Sequence, residues 1–287
     1  MRKHAALIFV LSILWARVAT AQAIERFFVP VDYQGGQIQL KAELQKPTGS
    51  GPFPVVIALH ACGGYNDPVS TMTTWLPLLW QLGYATLRID SFTARGDDAG
   101  VCWNTGEVTG VERATDALAA AYVLARRPDV GRDRIAVIGW SHGGGGASRA
   151  TQDGPNTLPW RKRLASRGGK LVASIDLYGG CGTTAYPVVV PLLVLVGAAD
   201  HWVLAPNCLE LAKANPTLVT VQVYPGSPMA STAHLNPITP RAILSATMRR
   251  RRRTPAFARR NSCAGICSEY EQQQAVSPLV AGACPAR

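Results

Sequence analysis

Residues 135–146 read IAVIGWSHGGGG, and the organisation of the chain follows from how this stretch is read. Four apolar residues run into Gly139-Trp140-Ser141-His142-Gly143, and three more glycines follow. An apolar run of this length that ends in G-x-S-x-G reads as a buried strand turning sharply into a helix, with the serine hydroxyl lifted onto the turn. Glycines flank the serine because strand and helix backbones approach closely there. The helix start then offers amide N–H groups and positive dipole to a developing oxyanion. Ser141 is thus expected to be a nucleophile, and the amide of His142 an oxyanion donor. A phosphate cradle is the competing reading, but neither G-x-x-x-x-G-K-[ST] nor G-x-G-x-x-G after a first strand occurs.

Working outward, short β-branched runs alternate with amphipathic stretches between residues 24 and 226. The runs cover residues 24–29, 37–44, 54–59, 85–90, 135–139, 171–177, 191–196 and 219–224. Several, such as PVVIAL and PLLVLVG, are almost wholly apolar, as strands covered on both faces are. Helical patterns lie at residues 72–82, 111–126, 147–152 and 205–213. The expected class is α/β, a mostly parallel sheet of about eight strands with helices on both faces. The first two runs, joined by DYQGG, are expected to form an antiparallel hairpin.

Two further loops carry candidate chemistry. HACGG (residues 60–64) ends an apolar strand, and the amide of Ala61 or Cys62 is expected to complete the oxyanion hole with that of His142. His60 reads as a residue that shapes this loop. Asp200 closes PLLVLVGAAD, where a carboxylate can orient an imidazole and stabilise its protonated form. Of five histidines only His234 follows the last predicted strand, so the order Ser141, Asp200, His234 makes it the candidate base.

Taken together, VVIALHACGG, LGYATLRIDSFTARG, IGWSHGG, LVLVGAADHWV and VQVYPG resemble the dienelactone hydrolase family of the α/β-hydrolase fold, over residues 24–226. The resemblance implies hydrolysis of a small ester or lactone through an acyl-enzyme, with no metal or cofactor. Ser141 stands where the type member has a cysteine, and His60 where it has a glutamate, which favours a serine esterase over a true dienelactone hydrolase. Arg95, in SFTARG, reads either as a contact for a substrate carboxylate, as basic residues are in the family, or as a plain surface arginine.

The family pattern also predicts a histidine soon after YPG, in the form His-x-Phe-Asp. Here residues 228–232 read PMAST, and His234 comes five residues late. Codons for this stretch, read one frame over from the third base of the proline codon, can spell His-Gly-Phe-Asp. A frameshift near residue 226 is therefore expected. It would also account for the arginine run at residues 249–253 and for an odd set of tail cysteines. If the shift is real, the chain is a catalytically impaired member that only binds a small ligand.

Composition bounds the remainder. The 287 residues, 47% hydrophobic, suffice for one large core plus appendages. Residues 1–23 combine a basic start, an apolar run over residues 5–15, and alanines at 19, 21 and 23, the layout of a cleaved signal peptide. No later run is long enough for an integral membrane segment. Export would place the protein in the periplasm or outside the cell and favour disulfides. Cys62 with Cys102 and Cys181 with Cys208 are the expected pairs. Residues 241–287 carry nine arginines against two glutamates, seven of the net +11 charges. This reads as a solvated, disordered tail rather than a nucleic-acid arm, with binding to an anionic surface as the competing reading. The expected organisation is thus a signal peptide (1–23), a hydrolase domain (24–240) and a basic tail (241–287).

Overall fold

The computed structural model describes residues 23–67, 72–103, 108–181 and 184–228. His234, the arginine run, the three tail cysteines and all but the last residue of the expected signal peptide lie outside these residues, as does all but the start of the stretch that follows the expected frameshift near residue 226.

Eight strands form one sheet in the order β1-β2-β4-β3-β5-β6-β7-β8. β1 (Ile24–Tyr33) and β2 (Gly36–Gln45) form the expected hairpin, and Gln34 and Gly35 both take positive φ (48° and 77°) in its turn. Glycine removes the steric cost at one of those two positions. β2 pairs antiparallel with β4 (Ala85–Ile89). From β4 onward, β3 (Phe53–Leu59), β5 (Val130–Trp140), β6 (Leu171–Leu177), β7 (Leu192–Gly197) and β8 (Val219–Tyr224) pair in parallel.

The apolar character of the central strands follows from cover on both sides. Val55, Ile57 and Leu59 of β3 belong to one cluster, with Ala114, Ala117, Leu118 and Leu124 of α2 (Gly110–Leu124) and Leu164 of α4 (Thr157–Ser166). Their neighbours Val56 and Ala58 belong to a second cluster with Met72, Trp75, Leu76 and Leu79 of α1 (Met72–Gln81). The two-residue period of the strand thus sends adjacent side chains to opposite cores. A third cluster seats Cys208 and Leu211 of α5 (Ala205–Ala214) on Val194 and Val196 of β7. The Thr109 hydroxyl accepts from the Val111 amide, and Glu112 accepts from the Thr109 amide at 2.8 Å, so α2 begins in a capping box.

Two departures from the sequence reading have physical causes. The helix after Ser141, α3 (His142–Arg149), starts at once rather than at residue 147. Its glycines are poor helix formers, yet close packing requires them. A Cβ on Gly144 would lie 2.3 Å from Asp176 Oδ1, and one on Gly146 2.5 Å from the Arg113 Cβ. α4 has no counterpart in the expected helices. Only Thr157, Trp160 and Leu164 of its ten residues are buried, too narrow a stripe to stand out. Both expected disulfides are present, Cys62–Cys102 and Cys181–Cys208, with Cα separations of 4.8 and 5.1 Å. Among the described residues, no helix is long and apolar enough to cross a membrane.

Candidate active site

The candidate site is assembled at the carboxyl ends of β3, β5 and β7. Ser141 sits between β5 and α3 with φ 51° and ψ −117°, a region that residues with a side chain seldom occupy. Such a conformation costs on the order of 1–3 kcal/mol and persists only where the surroundings enforce it. The enforcement is visible. A Cβ on Gly139 would lie 2.0 Å from the Gly143 carbonyl oxygen, and one on Gly143 would lie 2.2 Å from that of Leu59. Strand, turn and helix therefore meet backbone to backbone. The Ser141 amide donates to Leu177 O at 2.9 Å, tying the turn to the end of β6. The glycines of G-x-S-x-G are thus sterically required.

On one side of this turn runs the loop from His60 to Gly64, which leaves β3. Its hydrogen bonds begin with a fully buried histidine. The distance from His60 Nδ1 to Ala61 O is 2.8 Å, and the Ser91 amide points at Nε2 from 3.3 Å. An amide can only donate, so Nε2 accepts and Nδ1 carries the proton. Burial, and next the positive charge of Arg113, push the imidazole well below its usual range. With both ring nitrogens engaged, His60 is a loop-shaping residue, as expected. Arg113 stands behind it, wholly buried, and donates from Nη2 to His60 O at 2.7 Å. Burial lowers the guanidinium to about 9. The Cys62–Cys102 bridge and a Val101 N–H···O=C Cys62 bond of 2.8 Å hold the far end of the loop.

His142 follows the serine as the first residue of α3, where an amide has no acceptor within its own helix. Its ring bonds to the Val108 backbone and meets Phe92 edge-on at 5.7 Å. Burial, and then Arg113, depress it to about 4, so it is neutral at pH 7.

On the other side, Asp200 lies in the turn after β7, 4% exposed. Its Oδ1 accepts from the amides of Trp202 and Val203 at 2.8 and 2.9 Å. Its Oδ2 is buried and has no hydrogen-bond partner among the described residues. A carboxylate oriented by two amides, with its other oxygen unengaged, suits a group meant to receive an imidazole N–H. The chain leaving β8 passes directly beside this turn. Ala199 donates to Ser227 O at 3.1 Å, and a Cβ on Gly197 would lie 2.0 Å from the same oxygen. The residues after Pro228, His234 among them, lie outside the described part.

One expectation is corrected. Arg95 does not face a substrate: its side chain is 1% exposed and forks onto Asp116, with Nη1–Oδ2 and Nη2–Oδ1 at 2.9 and 2.8 Å. The guanidinium also donates to Ser91 O and lies over the Tyr33 ring at 4.7 Å. Its partner is 21 residues away, on α2, so local sequence gave no sign of the pairing. Arg113 was missed altogether. The signal was Arg113 and Asp116 three residues apart on a helix face otherwise lined with alanine and leucine, where charge survives only if engaged. Among the described residues, no group of three His, Cys, Asp or Glu side chains could hold a metal.

Residues 40–242 match the model of the dienelactone hydrolase family. No curated protein matches the chain by sequence. Among solved structures, the fold is similar to a dienelactone hydrolase from Anabaena variabilis ATCC 29413, at 22% identity over 78% of this chain and 96% of that one, TM-score 0.53. It is also similar to Est1E from Butyrivibrio proteoclasticus, at 16% identity over 78% and 97%, TM-score 0.51. A third is XC6422 from Xanthomonas campestris, described as an a/b serine hydrolase without lid, at 20% identity over 80% and 97%, TM-score 0.50.

Proposed function

The chain belongs to the dienelactone hydrolase family, and from that premise we propose that it is an exported serine hydrolase that cleaves a small ester or lactone through an acyl-enzyme. The family and the eight-stranded α/β-hydrolase sheet make it a hydrolase of the carboxylic-ester type. Beyond that, Ser141 is the nucleophile, Asp200 the orienting acid and His234 the base. The amides of His142 and of Ala61 or Cys62 form the oxyanion hole.

The observation that carries the reading is the left-handed backbone at Ser141, clamped by two glycines that admit no Cβ. A strained serine at a strand-to-helix turn beside a helix N-terminus suits a nucleophile. In the reaction, Ser141 Oγ bonds to the carbonyl carbon as its proton passes to the imidazole of the base. The resulting oxyanion takes the two amide N–H groups. The C–O bond then breaks, and the leaving alcohol receives that proton. Water, deprotonated by the same imidazole, attacks the acyl carbon; the bond to Ser141 Oγ then breaks, the acid leaves, and Oγ recovers the proton from the imidazole. Labelling with a fluorophosphonate tests the assignment: adduct on the peptide holding Ser141 supports it, and an unmodified Ser141 rejects it.

Two disulfides among the described residues favour an oxidising compartment. With residues 1–23 as a signal peptide, this supports a periplasmic or secreted location. The hydrolase unit is taken as residues 24–240, and residues 241–287 as a basic tail.

A second reading rests on the sequence after YPG, where His234 stands five residues beyond the place that the family pattern gives its histidine. In it the chain lacks a working base and only binds a small ligand. The variant H234A separates the two: a loss of activity of about 10³-fold or more identifies the base, whereas the same trace of activity, or none, in parent and variant favours the impaired member.

A further inference from the structure

Two of the most exposed apolar side chains in the described part touch each other. Trp103 is 93% and Trp202 68% exposed, and their rings meet edge to face with centroids 6.5 Å apart. Exposed tryptophan is ordinarily unfavourable, because a large ring left in water forgoes the free energy of its burial. Each of these rings is attached to an element of the site. Trp103 follows Cys102, which is bonded to Cys62 in the loop leaving β3. Trp202 follows Asp200 by two residues, and its amide is one of the two that hold the carboxylate.

The strand order makes this contact informative. Trp103 lies in the loop that leaves β4, and β3, β5 and β6 stand between β4 and β7, so the two loops spring from positions about 19 Å apart across the sheet, at a spacing near 4.8 Å per strand. Rings from opposite sides can meet only by reaching over the carboxyl ends of β5 and β6. The first of those ends carries Ser141. The tryptophan contact therefore joins a loop on one side of Ser141 to the turn on the other, with most of both ring surfaces open.

We infer that Trp103 and Trp202 are specificity-determining residues that receive an aromatic ring of the ester, in its acyl or its alcohol part. This rests on Ser141 being the nucleophile and adds a substrate class to that reading. A planar apolar ring can stack on one indole and meet the edge of the other. A short alkyl ester offers no such surface and gains little.

The test compares kcat/KM for 1-naphthyl acetate and ethyl acetate in the full chain and in the variants W103A, W103F, W202A and W202F. Each alanine variant is expected to lose about tenfold or more on the naphthyl ester, in keeping with one aromatic contact plus its buried area, and W103A to change less than about twofold on ethyl acetate. The phenylalanine variants retain most of the aromatic preference. Equal losses on both esters, or none on either, overturn the inference. A second arm does not depend on catalysis. S141A is titrated calorimetrically with 1-naphthyl acetate, and W103A or W202A added to it is expected to weaken binding about tenfold. Absent binding, or binding that neither tryptophan affects, overturns the inference even if the protein turns over no ester. Failure of fluorophosphonate to label Ser141 counts against the nucleophile alone.

Discussion

Asp176 supplies a prediction whose size follows from the structure. The residue lies on β6 beside Gly139 in the register of the sheet, fully buried beneath the Ser141 turn. Its Oδ2 accepts from Ser148 Oγ at 2.5 Å and its Oδ1 from the Gly179 amide at 2.7 Å. Burial outweighs these bonds and the nearby charge of Arg149, and pushes the carboxyl up to about 7 from 3.8. The folded protein therefore keeps a proton that the unfolded chain releases near pH 4. Unfolding between those values sheds a proton, so this group's contribution to stability falls as pH rises from about 4 to about 7. A shift of that size corresponds to a penalty on the order of 4 kcal/mol above pH 7. The substitution D176N removes the titration and keeps the shape, since an amide can accept from Gly179 and donate to Ser148 Oγ. Urea unfolding of both proteins at steps from pH 4 to 8 measures the difference. His60 and His142 titrate equally in the two and cancel. The stability of D176N relative to the parent is expected to rise by a few kcal/mol across that range. A difference that stays flat, or falls with pH, would refute the buried, protonated carboxyl.

Further outcomes follow from the same geometry. Gly143→Ala should cost at least about 2 kcal/mol in urea unfolding, because a methyl 2.2 Å from Leu59 O outweighs the roughly 1 kcal/mol that alanine gains in a helix. Gly145→Ala, whose Cβ has its nearest neighbour at 3.3 Å, should cost clearly less; equal losses would contradict the proposed packing. D200N should lower kcat by about 10⁴ with little change in KM, measured on any ester the protein cleaves; a loss confined to KM would remove Asp200 from the machinery. Replacing Cys62 and Cys102 together by serine should lower stability by about 2–4 kcal/mol, since the bridge spans 40 residues. It should also lower kcat, because the loop expected to bind the oxyanion loses its anchor; unchanged kcat would show that Arg113 and His60 hold that loop unaided.

The sheet was legible because burial on both faces leaves a plain mark: apolar runs too short for helices, separated by amphipathic stretches. All eight expected runs are strands, and the turn at Gln34 and Gly35 forms the hairpin read from DYQGG. What stayed hidden depends on contacts between distant residues. The glycines of α3 argued against a helix by propensity, and only the closeness of Asp176, Arg113 and Gly179 explains why the helix needs them. Arg95 read as a free cation because Asp116, which neutralises it, comes a helix later. Ser141 and Asp200 could be singled out as candidates because each closely follows the end of a buried strand. No local pattern announces that Trp103 and Trp202 meet, since the loops carrying them leave different parts of the sheet.

The assignment of Ser141 as nucleophile is tested most directly by intact-mass and peptide analysis after reaction with a fluorophosphonate, on the parent chain and on S141A. The geometry at the turn predicts a single stoichiometric adduct on the peptide containing Ser141, absent from S141A, with loss of esterase activity in step with labelling. An adduct elsewhere, or esterase activity that survives full modification of Ser141, would contradict it.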